Sequence, residues 1–419
     1  MSIRRHRDFL RIWAGQLVSN LGDGVHRVAV LWWARQATGS NMAVVAVALA
    51  TTLPMILMAP VAGTLVDRVD RRRLMIVSDV VRFGTSALLA LLFAADLLTL
   101  PVVLVAAVVA ATAGSVFTPA YMASITMLVP ADDRATANSL VGVNEAVAGV
   151  LGPAVGGVLI GVWGTSSALW FDAATFVVAL LLVLASRVPM PARAERTTDD
   201  SSVDADGPFA ALGLLRRDRS IRDLTMVAVS LNTFVAPVPV LMVALAAGPL
   251  ALGGTGFGLL EAAIPLGMVV GFVLGPRLST VRPAPLVALA VTSLGIAFAG
   301  ATTLALVAGL TFVAAGVGVG VANTLLPTRF QNDIDPSLQG RVFALLGALG
   351  QIGRPAGLLM AAPLLAVLGP RGGLAVCGAC MLAVSWIGRS GVQGPLPATT
   401  PDLASAADEP SEQRVPDLG

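Results

Sequence analysis

Charged residues stand inside long apolar stretches of this chain: Asp23, Arg27, Glu145, Glu261 and Arg354. A carboxylate in apolar surroundings pairs with a cation, holds a proton or faces water. The three acids are therefore candidates for proton uptake and release. The alternatives are an ion pair of Asp23 with Arg27 and interhelical hydrogen bonds of the two glutamates. Arg354 can pair with one of these glutamates or hold an anionic group of a ligand.

Polar residues recur at helical spacing around Asp23. Intervals of four, three and four residues separate Gln16, Asn20, Asp23 and Arg27. This spacing places the four side chains on one face of a helix, and a polar face on an apolar helix predicts a water-filled cavity. Candidates for the same cavity from later in the chain are Asn232, Asn323, Gln351 and Arg354. For the two asparagines, hydrogen bonds between helices are an equal alternative.

The elements that carry these residues have the composition of a membrane protein. Hydrophobic residues make up 56% of the 419 residues, charged residues 12%, and mean hydropathy is +0.83. A soluble chain has about 25% charged residues. Runs of about 20 apolar residues are long enough to cross a bilayer as helices. We count twelve, numbered here spans 1 to 12: 9–33, 43–66, 74–95, 101–122, 137–162, 167–185, 224–247, 255–276, 286–303, 305–327, 342–367 and 373–387.

The distribution of arginine predicts the orientation, since the chain contains no lysine. Arginines cluster before span 1, between spans 2 and 3 and before span 7, which are on one side of the membrane if the spans alternate. The positive-inside rule makes this side cytoplasmic, together with both termini. We expect a six-helix bundle over 1–188, a linker with a short amphipathic helix over 189–220, a second bundle over 221–390 and a disordered tail over 391–419. Similar short motifs after spans 4 and 10 suggest that the two bundles are a repeat.

Two motifs carry a family resemblance. The loop after span 2 contains Gly63, Asp67, Arg68, Arg71 and Arg72, and resembles the Gly-x-x-x-Asp-Arg-x-Gly-Arg-Arg signature of the major facilitator superfamily. Asp70 replaces the second glycine of that signature, and Asp also tolerates tight turns. The resemblance implies that this loop faces span 11 and locks the cytoplasmic side. In the second half the corresponding loop has Gly275 where the acid would stand, so the lock should be asymmetric.

The second motif lies in span 5 and consists of Gly149, Gly152, Pro153, Gly156 and Gly157. It is similar to the Gly-Pro-x-x-Gly-Gly motif of antiporters in the same superfamily. Ordinary close packing of small residues and a proline kink is the alternative interpretation. Over nearly the whole chain, the sequence resembles the drug-antiporter branch that includes macrolide-efflux and enterobactin-exporter proteins.

The resemblance implies an all-α membrane fold of two pseudo-symmetric six-helix bundles and a transporter that works by alternating access. We expect a bacterial inner-membrane exporter of small amphipathic molecules that is driven by the proton gradient, with no cofactor and no metal. Its expected partners are a small-molecule substrate and the lipid bilayer, with no nucleic acid, and the chain is expected to be a monomer. A dedicated siderophore or metabolite exporter, or a lysophospholipid flippase, is the alternative within this fold. A membrane-embedded enzyme is a distant third.

Other polar residues are expected to be structural. Asp79 and Arg82 in span 3 are one turn apart and should form an ion pair. Asp172 in span 6 should cap or tie helices. The Cys377-x-x-Cys380 pair is not expected to bind zinc, because the chain has no further cysteine.

Overall fold

The computed structural model describes residues 3–188, 219–333 and 336–389, and in these ranges the chain is helical without a strand. The expected amphipathic helix over 209–215 and the tail over 391–419 lie outside the described residues. The first half contains α1 (Arg7–Thr38), α2 (Asn41–Arg68), α3 (Arg71–Ala94), α4 (Leu100–Leu128), α5 (Arg134–Trp163) and α6 (Thr165–Leu184). The second contains α7 (Arg219–Val235), α8 (Val238–Ala247), α9 (Gly254–Leu274), α10 (Ala284–Ala301), α11 (Ala305–Asp333) and α12 (Pro336–Ile387).

These helices match the predicted spans. Helices α1 to α6 are spans 1 to 6, α7 and α8 together form span 7, and α9 to α11 are spans 8 to 10. Helix α12 contains spans 11 and 12, and the chain turns between them at Gly369, where φ is 65° and ψ is −179°. A left-handed φ of this kind suits glycine.

Ten segments of the described chain are long and apolar enough to cross a membrane. Span 1 is a 32-residue helix but is not among the ten, because its polar face lowers the mean hydropathy. The last of the ten, Leu349–Ile387, contains both spans 11 and 12. The prediction of a helical multi-pass membrane protein is confirmed.

The spans pack into two groups. In the first half, span 1 packs on spans 5 and 6, span 3 on spans 4 and 6, and span 2 on span 4. In the second half, span 10 packs on spans 8 and 9, span 9 on span 12, and span 7 on span 11. The two halves meet chiefly where span 5 packs against span 8 and where span 2 packs against the helix that contains spans 11 and 12.

The hydrophobic core is joined at one end of the molecule and divided at the other. One large cluster combines both halves, with Val28 and Ala34 of span 1 beside Leu241 of span 7 and Phe312 of span 10. We call this the closed end. At the opposite end, near Phe9, each half has a separate cluster in the described part of the chain. We call it the terminus end.

A cavity between the two halves

A cavity of about 760 Å³ lies between the two halves, and its two walls differ in chemistry. The wall from the first half supplies most of the polar lining, including Asn20, Asp23, His26, Arg27, Arg82 and Asp172, beside apolar residues such as Val30, Leu89 and Phe117. The wall from the second half is mainly apolar and includes Val235, Val240, Met242, Ile264, Met268 and Leu358. Glu261 and Arg354 are the charged residues that the described second half adds to the lining. The charged groups of the cavity are therefore concentrated on the first half, and apolar residues line both halves.

The polar face of span 1 lines this cavity. Gln16, Asn20, Asp23 and Arg27 all belong to the wall. The amide Nε2 of Gln16 donates a hydrogen bond to Oδ1 of Asn20 over 2.7 Å. About half of the Asp23 and Arg27 side chains is exposed, at 47% and 49%. The four residues thus share one wetted surface, in the arrangement that their spacing predicts.

Arg82 is the centre of a charge cluster in the first half. Its Nη1 lies 3.2 Å from Oδ2 of Asp23 on span 1, and its Nη2 lies 2.9 Å from Oδ1 of Asp79 on its own span. The guanidinium also stacks on the rings of Phe117 and Phe176, with its Cζ 4.9 and 4.5 Å from the ring centroids. Such cation–π contacts are strongest where water is excluded. Arg82 is therefore held on several sides at once, and the expected Asp79–Arg82 pair is present.

A second ion pair joins the two halves across the cavity. Nε of Arg27 on span 1 lies 3.2 Å from Oε1 of Glu261 on span 8. Glu261 is only 6% exposed, and its other oxygen, Oε2, is buried without a hydrogen-bond partner in the described chain. Arg27 therefore pairs with Glu261 and Asp23 with Arg82, so the Asp23–Arg27 pair considered from the sequence does not form here.

A third cluster contains His26, Asp172 and Ser86 from spans 1, 6 and 3. Nδ1 of His26 lies 2.8 Å from Oδ2 of Asp172, and the hydroxyl of Ser86 donates to the same oxygen over 2.5 Å. Gly22, one turn before His26, allows this close approach, because a Cβ there would lie 2.7 Å from Oδ1 of Asp172. Asp172 thus ties three helices together.

Four sequence candidates lie outside the cavity lining. Glu145 is exposed and makes no hydrogen bond or ion pair within the described residues. Asn232 donates from its Nδ2 to the carbonyl of Ala228 over 2.9 Å, a bond within its own helix. Asn323 and Gln351 are exposed, and Gln351 accepts a 3.4 Å hydrogen bond from Arg354, which does line the cavity.

The glycines of the span 5 motif lie at contacts with two different helices. A Cβ on Gly152 would lie 2.9 Å from Cα of Gly24 in span 1, and one on Gly157 would lie 2.8 Å from Cα of Gly258 in span 8. Gly156 likewise meets span 1, and Gly149 meets Pro265 of span 8. Span 5 therefore touches its own half on one face and the other half on the opposite face, with no room for side chains at the contacts.

The loop signature is anchored within the first half. The carboxylate of Asp70 accepts a 2.8 Å hydrogen bond from the backbone N–H of Arg72 and caps span 3. With φ at −55°, Asp70 serves here as a helix cap and not as a left-handed turn residue. Arg71 and Arg72 donate to the carbonyls of Ala123 and Leu184 near the ends of spans 4 and 6. Cations at helix C-termini are stabilising.

The remaining residues of the loop signature are exposed at the terminus end. Asp67 and Arg68 are exposed, and they make no hydrogen bond or ion pair within the described chain. No described atom would lie within 4 Å of a Cβ on Gly63. The side chains over 342–348 of span 11, the expected neighbour, lie outside the described residues. The lock between this loop and span 11 stays a prediction.

His26 and Arg82 are the site residues that sequence reasoning misses. His26 follows Asp23 by three residues and so belongs to the same helical face, a signal that the spacing does contain. Arg82 looks like one member of a local pair, and its reach to Asp23 depends on how spans 1 and 3 pack. That contact between distant residues has no local sequence signal.

The comparisons with known proteins agree with this geometry. The family model described as Major Facilitator Superfamily matches residues 12–358. Macrolide efflux protein A of Streptococcus pyogenes is 25% identical over 361 residues, covering 84% of this chain and 88% of the relative. Multidrug efflux pump Tap of Mycobacterium bovis is 30% identical over 372 residues, covering 83% and 84%. The nucleoside transporter NupG superposes with a TM-score of 0.72 at 11% identity, covering 92% of this chain and 99% of that one.

Proposed function

Because the chain belongs to the major facilitator superfamily and is a membrane transporter of small molecules, we propose that it is a proton-coupled exporter of small amphipathic molecules. Export is the activity in the names of both relatives, macrolide efflux protein A and multidrug efflux pump Tap. We further propose that it resides in a bacterial inner membrane as a monomer, with both termini in the cytoplasm.

The two-sided cavity is the observation that carries the proposal. An amphipathic molecule can place its polar group beside Asp23 and Arg27 and its apolar body against Met242, Ile264 and Met268. Apolar burial supplies affinity without demanding one shape, and a few polar groups fix the orientation. Such a site suits many lipophilic drugs.

The divided core supports alternating access. In the described residues the halves share one core at the closed end and have separate cores at the terminus end, which is the arrangement expected of an inward-facing state if the termini are cytoplasmic. The opposite state requires the Arg27–Glu261 pair and the Gly157–Gly258 contact to part. The loop containing Asp67 would then approach span 11. In this scheme the outward release of substrate is exchanged for inward movement of a proton.

Transport in proteoliposomes under an imposed pH gradient tests the proposal. The probes are a macrolide antibiotic and a lipophilic cation, with wild type compared with Asp23→Asn, Glu261→Gln and Glu145→Gln. We expect gradient-driven transport of at least one probe by wild type, and its loss in the first two variants, whose residues line the cavity. Glu145→Gln is the matched carboxylate variant outside the lining and should keep transport. Full gradient-driven transport by all three variants would contradict the role of these carboxylates in coupling.

A second candidate function is favoured by Arg354. This exposed guanidinium lines the cavity and donates to Gln351, with no acid bonded to it in the described chain. It can hold an anionic group, which suits a dedicated exporter of a siderophore or other anionic metabolite, or a lysophospholipid flippase. Drug-susceptibility assays in an efflux-deficient host separate the two. Resistance to several unrelated drugs supports the broad exporter, and resistance to none supports the dedicated one.

A further inference from the structure

His26 occupies a special position in the charge network of the cavity. The charged groups around it are Asp23 and Arg27 on its own span, Asp79 and Arg82 on span 3 and Asp172 on span 6. The imidazole lines the cavity and is 21% exposed, whereas Asp172, its partner, is 1% exposed. The ring therefore connects a buried carboxylate with the space that a substrate enters.

The carboxylates of this network differ in the cation that faces each of them. Asp23 and Asp79 share Arg82, and Glu261 has Arg27. A guanidinium keeps its charge at any physiological pH. Asp172 has the imidazole of His26 and the neutral hydroxyl of Ser86. Histidine is the side chain that gains and loses its charge near neutral pH. Among the four pairs, His26–Asp172 is therefore the one whose cation can be neutralised by loss of a proton.

The geometry assigns the two ring nitrogens different tasks. Nδ1 faces the carboxylate over 2.8 Å and can donate its hydrogen to Asp172 in both protonation states of the ring. A carboxylate on one nitrogen fixes the tautomer in this way. The proton that comes and goes is then the one on Nε2. Protonation therefore changes the charge without breaking the bond that ties span 1 to span 6.

The charges of the cavity lining, taken together with Asp79, balance when His26 is protonated. Three carboxylates and three guanidinium groups line the cavity, those of Asp23, Asp172, Glu261, Arg27, Arg82 and Arg354, and a fourth carboxylate, Asp79, is fully buried outside the lining against Arg82. A protonated imidazole makes the numbers equal, and its neutral form leaves one negative charge in excess. An uncompensated charge in a low-dielectric site is costly. A monovalent cation entering the cavity would compensate it as the proton does.

We propose that the imidazole of His26 holds the proton that is exchanged for a monovalent cationic amphiphile. The inference rests on the proposed proton-coupled export and names its proton site and the charge of the substrate. A proton from outside binds Nε2 of His26 and leaves to the cytoplasm when the cation enters from there. One positive charge moves in each direction, so the exchange is electroneutral. The negative charges of Asp23 and Glu261 are part of the charge that the proton or the cationic substrate balances. We therefore expect their neutralisation to uncouple transport as well.

Proton release on binding tests this assignment in the full-length protein. The probe is tetraphenylphosphonium, a lipophilic monovalent cation, added to purified protein in weakly buffered detergent solution. Wild type should release about one proton per bound cation near neutral pH. His26→Asn keeps an N–H donor near Asp172 but cannot gain charge, so it should release almost none, and its binding should lose its pH dependence over this range. Unchanged proton release by His26→Asn would overturn the proposal.

The chain offers a matched control, because its second histidine is also paired with an aspartate. Nε2 of His6 lies 3.2 Å from Oδ2 of Asp133 near the terminus end, outside the cavity lining. His6→Asn should release protons as wild type does. A loss of proton release in this variant as large as that in His26→Asn would contradict a role specific to His26.

A second measurement separates this inference from the proposed function. The nuclear magnetic resonance signals of the two histidine rings can be assigned with His6→Asn, and His26 followed without any substrate. We expect its ring to change protonation state over the measured pH range and this change to shift in Asp172→Asn. A ring that stays in one protonation state over this range overturns the inference, whatever the substrate. Absence of gradient-driven transport by wild type, with a normal titration of His26, refutes the proposed function alone.

Discussion

The two halves of this transporter have matching helix arrangements but different interiors. The first half lines the cavity with charged residues of several spans: Arg82 pairs with Asp23 and stacks on Phe176, and Asp172 pairs with His26. The second half presents an apolar wall with Glu261 and Arg354. A repeated fold thus does not require repeated chemistry. We interpret the first half as the part that responds to charge and the second as the part that accepts apolar surface.

Removal of Arg82, the central cation of the first half, should have the largest effect on this half. Arg82→Met leaves Asp79 buried at 0% exposure without its cation. Loss of one partner of a buried pair costs about 3–5 kcal/mol. We expect a large drop in thermal stability in detergent and loss of transport. Arg277→Met, which removes an exposed arginine of the second half bonded to a carbonyl, should leave both nearly unchanged.

The combination of Arg82→Met with Asp79→Asn and Asp23→Asn sharpens this test. If the uncompensated acids cause the instability, the triple variant should unfold at a higher temperature than Arg82→Met alone. Equal unfolding temperatures would instead assign the loss to the packing of Arg82 on Phe117 and Phe176.

The contact between the halves at the closed end should give the next largest effect. A Cβ from Gly157→Ala would lie 2.8 Å from Cα of Gly258, and overpacking of this kind costs about 1–3 kcal/mol. The overpacking destabilises the conformation in which spans 5 and 8 are in contact at the closed end. Gly157→Ala should therefore favour the conformation in which this end is open. Spin labels on spans 5 and 8 should report a longer distance at this end.

Gly142→Ala is the control on the same helix, since no described atom would lie within 4 Å of its Cβ. Its distance distribution should match that of wild type. An unchanged distribution in Gly157→Ala as well would mean that the closed end tolerates the methyl group and that the glycine contact does not set the equilibrium.

A change in the apolar wall should have the smallest effect. Met268→Gln places an amide where an amphiphile would contact apolar surface, and partial loss of that burial costs about 1 kcal/mol. We expect roughly fivefold weaker binding of a lipophilic cation, with the pH dependence retained. Met226→Gln is the control, because Met226 is 61% exposed and outside the cavity lining. Weaker binding in both variants to the same extent would show that the wall is not the binding surface.

Much of the fold follows from the sequence, because the length of an apolar run and the bilayer thickness determine where a helix can cross. Even spans 9 and 10, which a single residue separates in the sequence, form two helices, with Ala301 ending one and Ala305 beginning the next. The polar face of span 1 is equally predictable, since i, i+4 spacing on a helix is a local property. The presence of Asp23 and Arg27 on one face of span 1 therefore follows from their spacing.

The partners of those residues are not predictable in this way, because they depend on packing between distant spans. Asp23 has Arg27 one turn away, yet it pairs with Arg82 across 59 positions of the sequence, while Arg27 crosses to Glu261. Glu145 resembles Glu261 in being a single acid within an apolar span, yet Glu261 lines the cavity and Glu145 does not. Periodicity thus indicates which residues share a face, but the neighbouring helix decides what that face meets.

The stacked rings of Trp32 and Phe257 at the closed end provide a built-in optical reporter. Their centroids lie 5.9 Å apart with an angle of 18° between the planes, and they belong to opposite halves of the molecule. Parting of the closed end must separate them and admit water to the indole. In a variant that retains Trp32 and replaces the other five tryptophans by phenylalanine, the wavelength of Trp32 fluorescence would report the opening of the closed end during transport in real time, without an attached dye.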